Sequence, residues 1–170
     1  RSGAPLPHRH HVVVEHSAMP GFSTGANQIV IHACWGGAVL RPWAIAMAAA
    51  WQERFGSPME IVNTDACLLI QAPGEITASE LIDLVPPKQI PRLLRKRLEN
   101  TGFFQALFRE CAGRALLLPR QLNRRMPLWL NRLRARKLFA QVGRYRDFPI
   151  VAEVWRECLE DRFECGQLAA

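Results

Sequence analysis

A chain of 170 residues with 49% hydrophobic and 22% charged side chains is built to fold around a core, and is too short to hold a complete nucleotide-driven motor. No window approaches the roughly 18 to 20 uninterrupted apolar residues of a membrane-spanning helix, and the opening Arg1-Ser-Gly-Ala-Pro5 lacks the basic-then-apolar pattern of a signal peptide, so a cytoplasmic protein with no membrane partner is expected. The formal net charge is +7, and a first residue that is Arg rather than Met leads us to expect a segment of something longer.

Taken in chain order, the β-branched runs 8–16 and 28–34 predict two strands joined by the loop 17–27. Gly36-Gly37 breaks the second. Pro42 fits the first turn of a helix that carries the Ala-rich stretch Trp43 to Phe55 and stops at Gly56. The runs 59–63 and 67–72 then flank Thr64-Asp65-Ala66, which reads as a hairpin. After Pro73-Gly74 the apolar period changes from two to 3.6. Thr77-Ala-Ser-Glu80 fits a capping box opening a short helix to Leu84, and further helices are expected at about 89–99, 102–118, 128–142 and 149–163. The fold class is therefore α+β: a β-β-α-β-β antiparallel sheet unit over residues 1–75 and a basic helical unit over 76–170, in one domain or two lobes.

Five cysteines, odd in number and without a CxxC pair, read as reduced thiols, and the N-terminal histidines sit along a strand whose alternate residues face opposite ways, so no metal site is expected. No GxxxxGK[ST] loop is present, no acidic pair follows a strand to hold Mg2+, and no Ser/His/Asp or Cys/His arrangement suggests a nucleophile. No catalytic residue and no cofactor are expected on this segment.

Charge is more informative. Residues 1–87 carry 4 Lys/Arg against 7 Asp/Glu, and residues 147–170 carry 2 against 6, whereas Lys88 to Arg146 holds 16 basic residues and only Glu99 and Glu110 on the acidic side. So much like charge repels itself, and a polyanion is the natural partner; 13 of the 16 are arginines, whose planar guanidinium suits phosphates and bases. The competing reading is a solvated face partly neutralised by the acidic C-terminal helix.

Within the band, Phe104, Phe108, Cys111, Ala115 and Leu118 form one apolar stripe, with Arg109 and Arg114 off it. Arg120, Arg124 and Arg125 crowd one turn before the next helix and make a phosphate clamp the leading local site. On that next helix, Leu128, Ala135, Leu138, Phe139 and Val142 mark one apolar side and Trp129, Leu133 and Ala140 a second. Arg132 and Arg136 fall between, in a slot where they either pair with Glu153, Glu157, Glu160, Asp161 and Glu164 or face a bound strand. Trp129 and Trp35 are candidate stacking platforms; Trp43, Trp51 and Trp155 sit in helical apolar patterns and are structural.

The runs Phe108-Arg-Glu-Cys-Ala-Gly-Arg-Ala-Leu-Leu-Leu-Pro-Arg120, Arg125-Met-Pro-Leu-Trp-Leu-Asn-Arg-Leu-Arg-Ala135 and Asp147-Phe-Pro-Ile-Val-Ala-Glu-Val-Trp-Arg-Glu-Cys-Leu-Glu-Asp161 resemble, in that order, the DEAD/H-associated region of the large helicase-related (Lhr) superfamily 2 helicases. The N-terminal HRHHVVVE and IHACWGG stretches are also similar; Trp35 to Trp51 matches more loosely. The resemblance implies an accessory domain of an ATP-dependent 3′-to-5′ DNA helicase concerned with DNA repair. Its RecA-like and winged-helix domains would lie upstream, with ATP and Mg2+ in the parent enzyme and single-stranded DNA or a DNA-containing duplex as partner. It also implies Arg109, Arg114, Arg120, Trp129, Arg132 and Arg134 as residues that support or contact nucleic acid. Two other readings stand beside it: an interdomain docking module that never touches DNA, and a stand-alone RNA-binding protein.

Overall fold

The computed structural model describes residues 6–8, 10–17, 26–73, 76–119 and 126–169. The chain divides into two compact units, one of residues 1–97 with 163–170 and one of residues 98–162. That division falls later than the expected break after residue 75, and it returns the C-terminal residues to the first unit.

The first unit is built on four antiparallel strands, β1 (Val13–Ser17), β2 (Ala26–His32), β3 (Glu60–Asn63) and β4 (Cys67–Pro73), in the order β1-β2-β4-β3. Ile29 pairs with Ile70 and Ile31 with Leu68, so these buried side chains share one face while their neighbours alternate outward. At the β3-β4 turn the Thr64 hydroxyl oxygen accepts from the N–H groups of Ala66 and Cys67, which closes the connection. The first strand is shorter than the run 8–16: His8 and His11 exchange backbone hydrogen bonds of 3.0 and 2.9 Å in a tight turn instead of extending it.

Helix α1 (Gly37–Phe55) follows β2 and packs on β3 and β4. It is apolar nearly all round, and Leu40, Trp43, Met47 and Trp51 are all buried, which is what an interior helix requires. It begins six residues earlier than the Ala-rich stretch. Gly36 takes φ +80°, open to glycine at little cost, and a Cβ on Gly37 would collide with the Asp65 carboxylate, which therefore lies against the helix's first turn, where negative charge is favoured. Pro42 consequently sits in the helix rather than at its start. Lacking an N–H, it leaves the Ala38 carbonyl without its usual donor; the backbone N–H of Glu164 takes that place at 3.1 Å. One distant hydrogen bond thus makes an interior proline tolerable and ties the C-terminal α7 (Cys165–Ala169) to α1. The unit is completed by α2 (Ala78–Asp83), opened by the expected Thr77/Glu80 capping box, a 3-10 turn at Pro87–Gln89, and α3 (Ile90–Leu98).

The second unit contains α4 (Gly102–Arg114), α5 (Leu128–Val142) and α6 (Pro149–Arg156), the last running into one π-helical turn, Glu157–Arg162. Phe104 and Phe108 of α4 meet Phe139 of α5 at ring-centroid distances of 5.6 and 4.9 Å, and Phe104 meets Trp155 of α6 at 4.8 Å, forming an aromatic core among the three helices. Helix α4 stops at Arg114, short of Leu118. Leu116 adopts φ +58°, its N–H bonds the Gly113 carbonyl, and that of Leu117 bonds the Ala112 carbonyl, the two bonds of a Schellman end with leucine where glycine is usual. The α+β class and the β-β-α-β-β order stand as read from the sequence.

Candidate nucleic-acid interface

The basic band is split between the two units, and its parts are treated differently. In the first unit, Arg92 on α3 grips Glu53 of α1 through two hydrogen bonds of 3.0 and 2.8 Å, Lys96 reaches the same carboxylate at 2.9 Å, and Arg97 donates to the Gln52 side chain at 2.7 Å. The Arg92 and Lys96 hydrogen bonds hold the Glu53 carboxyl well below the usual range, at about 2. These cations fasten α3 to α1. They are committed to ties within this unit, so the basic surplus read along the sequence is not one uninterrupted band of unpaired cations.

The second unit carries 13 Lys/Arg against 7 Asp/Glu. Arg114 on α4 is tied to the buried Glu157 of the π turn and lies 3.6 Å from Glu110; the Glu157 hydrogen bond raises its pKa further. Arg156 pairs with Glu153 at 2.9 Å and Asp161 at 3.3 Å. Two arginines thus occupy four of the seven carboxylates. The thiol of Cys111, 3.3 Å from Arg114, is pushed up in pKa chiefly by burial and next by the Glu157 charge, so it is a packing residue rather than a nucleophile.

Helix α5 receives none of that neutralisation among the described residues. Its exposed positions are Leu128, Trp129, Arg132, Leu133, Arg136, Lys137, Ala140 and Gln141, recurring at steps of three and four along one face, while Ala135 is buried opposite. Trp129 is 66% exposed and Leu133 42%. The slot expected around Arg132 and Arg136 does not exist: the Trp129, Leu133 and Ala140 side is not packed but open to solvent. Of the two alternatives for Arg132 and Arg136, pairing with Glu153, Glu157, Glu160 or Asp161 of the same unit is not seen, and Glu153, Glu157 and Asp161 meet Arg114 and Arg156 instead. Lys137 is a member of this face that the sequence reading misses. It lies four residues after Leu133 and eight after Trp129, a spacing that places it on the same side of the helix.

The other candidates fall elsewhere. Arg134 is half-buried, turned off this face, with Nη1 donating to the Met126 sulfur at 3.6 Å. Arg109 is half-buried in a cleft of about 430 Å³ lined also by Glu110, Gly113, Arg114, Leu118 and Asn131. Trp35, half-buried just beyond β2, has its ring 5.6 Å from that of Trp43 and belongs to the first unit. Arg120, Arg124 and Arg125, the expected clamp, lie outside the described residues. The described residues include no group of three or more His, Cys, Asp or Glu side chains placed to hold a metal ion, and no helix long and apolar enough to cross a membrane.

The chain thus comprises an α+β unit and a basic three-helix unit whose α5 has one cationic, aromatic face. Residues 6–170 match the family model described as DEAD/H associated, and the chain belongs to that family. It is 33% identical over 167 residues to the Lhr helicase/uracil glycosylase of Escherichia coli K12, a match covering 96% of this chain and 11% of that protein. It is 28% identical over 160 residues to the ATP-dependent helicase Lhr-Core of Methanothermobacter thermautotrophicus, covering 93% and 18%. The structure of the Mycobacterium smegmatis helicase Lhr bound to ssDNA and AMP-PNP superposes with a TM-score of 0.77 at 33% identity, covering 93% of this chain and 20% of that one. The chain thus spans between a tenth and a fifth of the length of these relatives.

Proposed function

We propose that this chain is a nucleic-acid-binding accessory domain of an ATP-dependent DNA helicase of the Lhr type, and that the outward face of α5 lines the path of the single strand near its junction with duplex. The observation that carries this reading is the set of exposed cations Arg132, Arg136 and Lys137 interleaved with exposed Trp129, without a carboxylate partner among the described residues. Guanidinium and ammonium groups left free by the fold are matched to phosphates, and an exposed indole to a base face. The Mycobacterium smegmatis helicase Lhr is bound to ssDNA in its own structure, which supports the choice of partner.

In this reading the RecA-like and winged-helix domains of the same polypeptide supply translocation, 3′ to 5′, and the parent protein serves DNA repair in the cytoplasm. ATP and Mg2+ are assigned to those motor domains. The residues here do not fit them, since the chain has no GxxxxGK[ST] loop to wrap a triphosphate, and no step of the chemistry is assigned to this segment.

The test is titration of the chain with a labelled oligothymidylate at several salt concentrations. Binding should weaken steeply with salt, and Arg132→Ala with Arg136→Ala should flatten the log–log slope by about 1.4, two single-strand contacts at about 0.7 each. The exposed apolar Leu128 and Leu133 on the same face favour a second reading, docking against another protein domain. Absence of any binding to the wild-type chain at low salt would select it.

A further inference from the structure

The cleft between the end of α4 and the start of α5 holds two polar side chains that the fold does not use. Arg109 is half-buried and makes no ion pair or hydrogen bond with any described residue, unlike Arg114 one turn on, which is committed to Glu157 and Glu110. Asn131, on the facing first turns of α5, is also half-buried, and its side-chain amide has no partner among the described residues. Neither side chain is spent on another group of the fold, so a guanidinium and an amide lining one cleft are free to meet an acceptor from outside. Glu110 lines the same cleft, but its carboxylate lies toward Arg114 at 3.6 Å, which offsets its charge.

At the end of α4 stands a second feature without a folding rationale. Leu116 is held at φ +58°, a strained conformation for a leucine, and its side chain is 73% exposed. Glycine would serve the helix end better, and a polar residue would serve the surface better. Two residues later Leu118 turns inward to line the cleft. Leu116 stands on the turn between Gly113 and Leu118, both of which line the cleft, so an exposed apolar side chain at its rim and a guanidinium and an amide on its wall would meet base and phosphate with different chemistry.

We propose that the α4–α5 cleft seats one nucleotide of the bound strand, with Arg109 and Asn131 taking its phosphate and Leu116 packing against its base. This rests on nucleic acid being the partner. It adds a subsite distinct from the α5 face, and it assigns Arg114 to holding the cleft wall rather than the phosphate.

Anisotropy titrations of the full chain with a labelled oligothymidylate and with its abasic counterpart test it, with thermal melts confirming that each variant is folded. Arg109→Ala should weaken binding of both oligomers roughly tenfold and flatten the salt slope by about 0.7. Leu116→Gly should weaken the oligothymidylate several-fold and the abasic strand much less. Asn131→Ala, with no charge removed, should weaken both while keeping the salt slope. If Arg109→Ala and Leu116→Gly bind like wild type while Arg132→Ala with Arg136→Ala is impaired, the cleft is not a subsite and the α5 reading stands alone. If wild type binds neither oligomer, both fall together.

Discussion

Helices α3 and α5 are both arginine-rich and both belong to the stretch that makes the chain basic, yet they put their cations to opposite uses. On α3, Arg92 and Lys96 converge on Glu53 and Arg97 on Gln52. On α5, Arg132, Arg136 and Lys137 meet no described carboxylate, and Glu110, Glu153, Glu157 and Asp161 of the same unit are held by Arg114 and Arg156. A count of charges along the sequence treats the two helices alike. What separates a folding cation from a binding cation is whether a carboxylate from another element reaches it.

The sharpest way to break this comparison is to delete cations from each helix in turn. Arg132→Ala with Arg136→Ala should cost the most binding, on the order of a hundredfold or more for two charge-assisted contacts, while the melting temperature stays within about 2 °C of wild type, as expected when surface groups without partners are removed. Arg92→Ala with Lys96→Ala should do the reverse, lowering the melting temperature and leaving the salt slope of binding as it was. If both pairs change binding equally, the distinction drawn between α3 and α5 is void.

Trp129 comes next in size. A base stacked on an exposed indole is worth about 1–3 kcal/mol, so Trp129→Ala should weaken an oligothymidylate by roughly fivefold to a hundredfold, with a salt slope equal to that of wild type because no charge is lost. Quenching of tryptophan fluorescence on binding, lost in this variant, would place the contact at Trp129 rather than at half-buried Trp35.

The acid response sharpens the α3 side. The folded pKa of Glu53, depressed to about 2 by Arg92 and then Lys96, lies below the unfolded value near 4.5. The stability that this carboxylate contributes is therefore complete above about pH 4.5 and is lost as pH falls from there toward about 2. Glu53→Gln should be less stable than wild type at neutral pH, and the gap should close across that window. A gap constant from pH 6 to pH 2.5 in urea melts would show that Glu53 does not hold the two helices together.

Much of this is legible in the sequence because it is local. Alternating β-branched runs mark four strands in their order, the Thr77/Glu80 pair announces its capping box, and α5 begins and ends where its apolar period does. What escapes depends on residues far apart. Pro42 lies inside α1 because the Glu164 N–H supplies the donor Ala38 lacks, more than 100 residues away. Arg114 leaves the candidate interface because Glu157, 43 positions on, claims it. A helical wheel of α5 gives its faces and not its neighbours, so Trp129, Leu133 and Ala140 read as a second packed side when they are the open one.

The smallest effect concerns a helix end, where sequence and structure part over a single dihedral angle. The stripe through Ala115 and Leu118 predicts that α4 continues, and its period carries no sign that Leu116 enters the left-handed region. Replacing Leu116 by Gly removes a strain of about 1 kcal/mol or more, and gives back part of it because a glycine loses more freedom on folding. The net gain should be roughly 0.5 kcal/mol, seen as a shift of a few degrees or less in the thermal midpoint. A variant that becomes more stable while binding its strand less well would show that the leucine is kept for what it touches and not for the fold. If Leu116→Gly is instead destabilised, the side chain supports the end of α4, and its exposure has to be read as incidental.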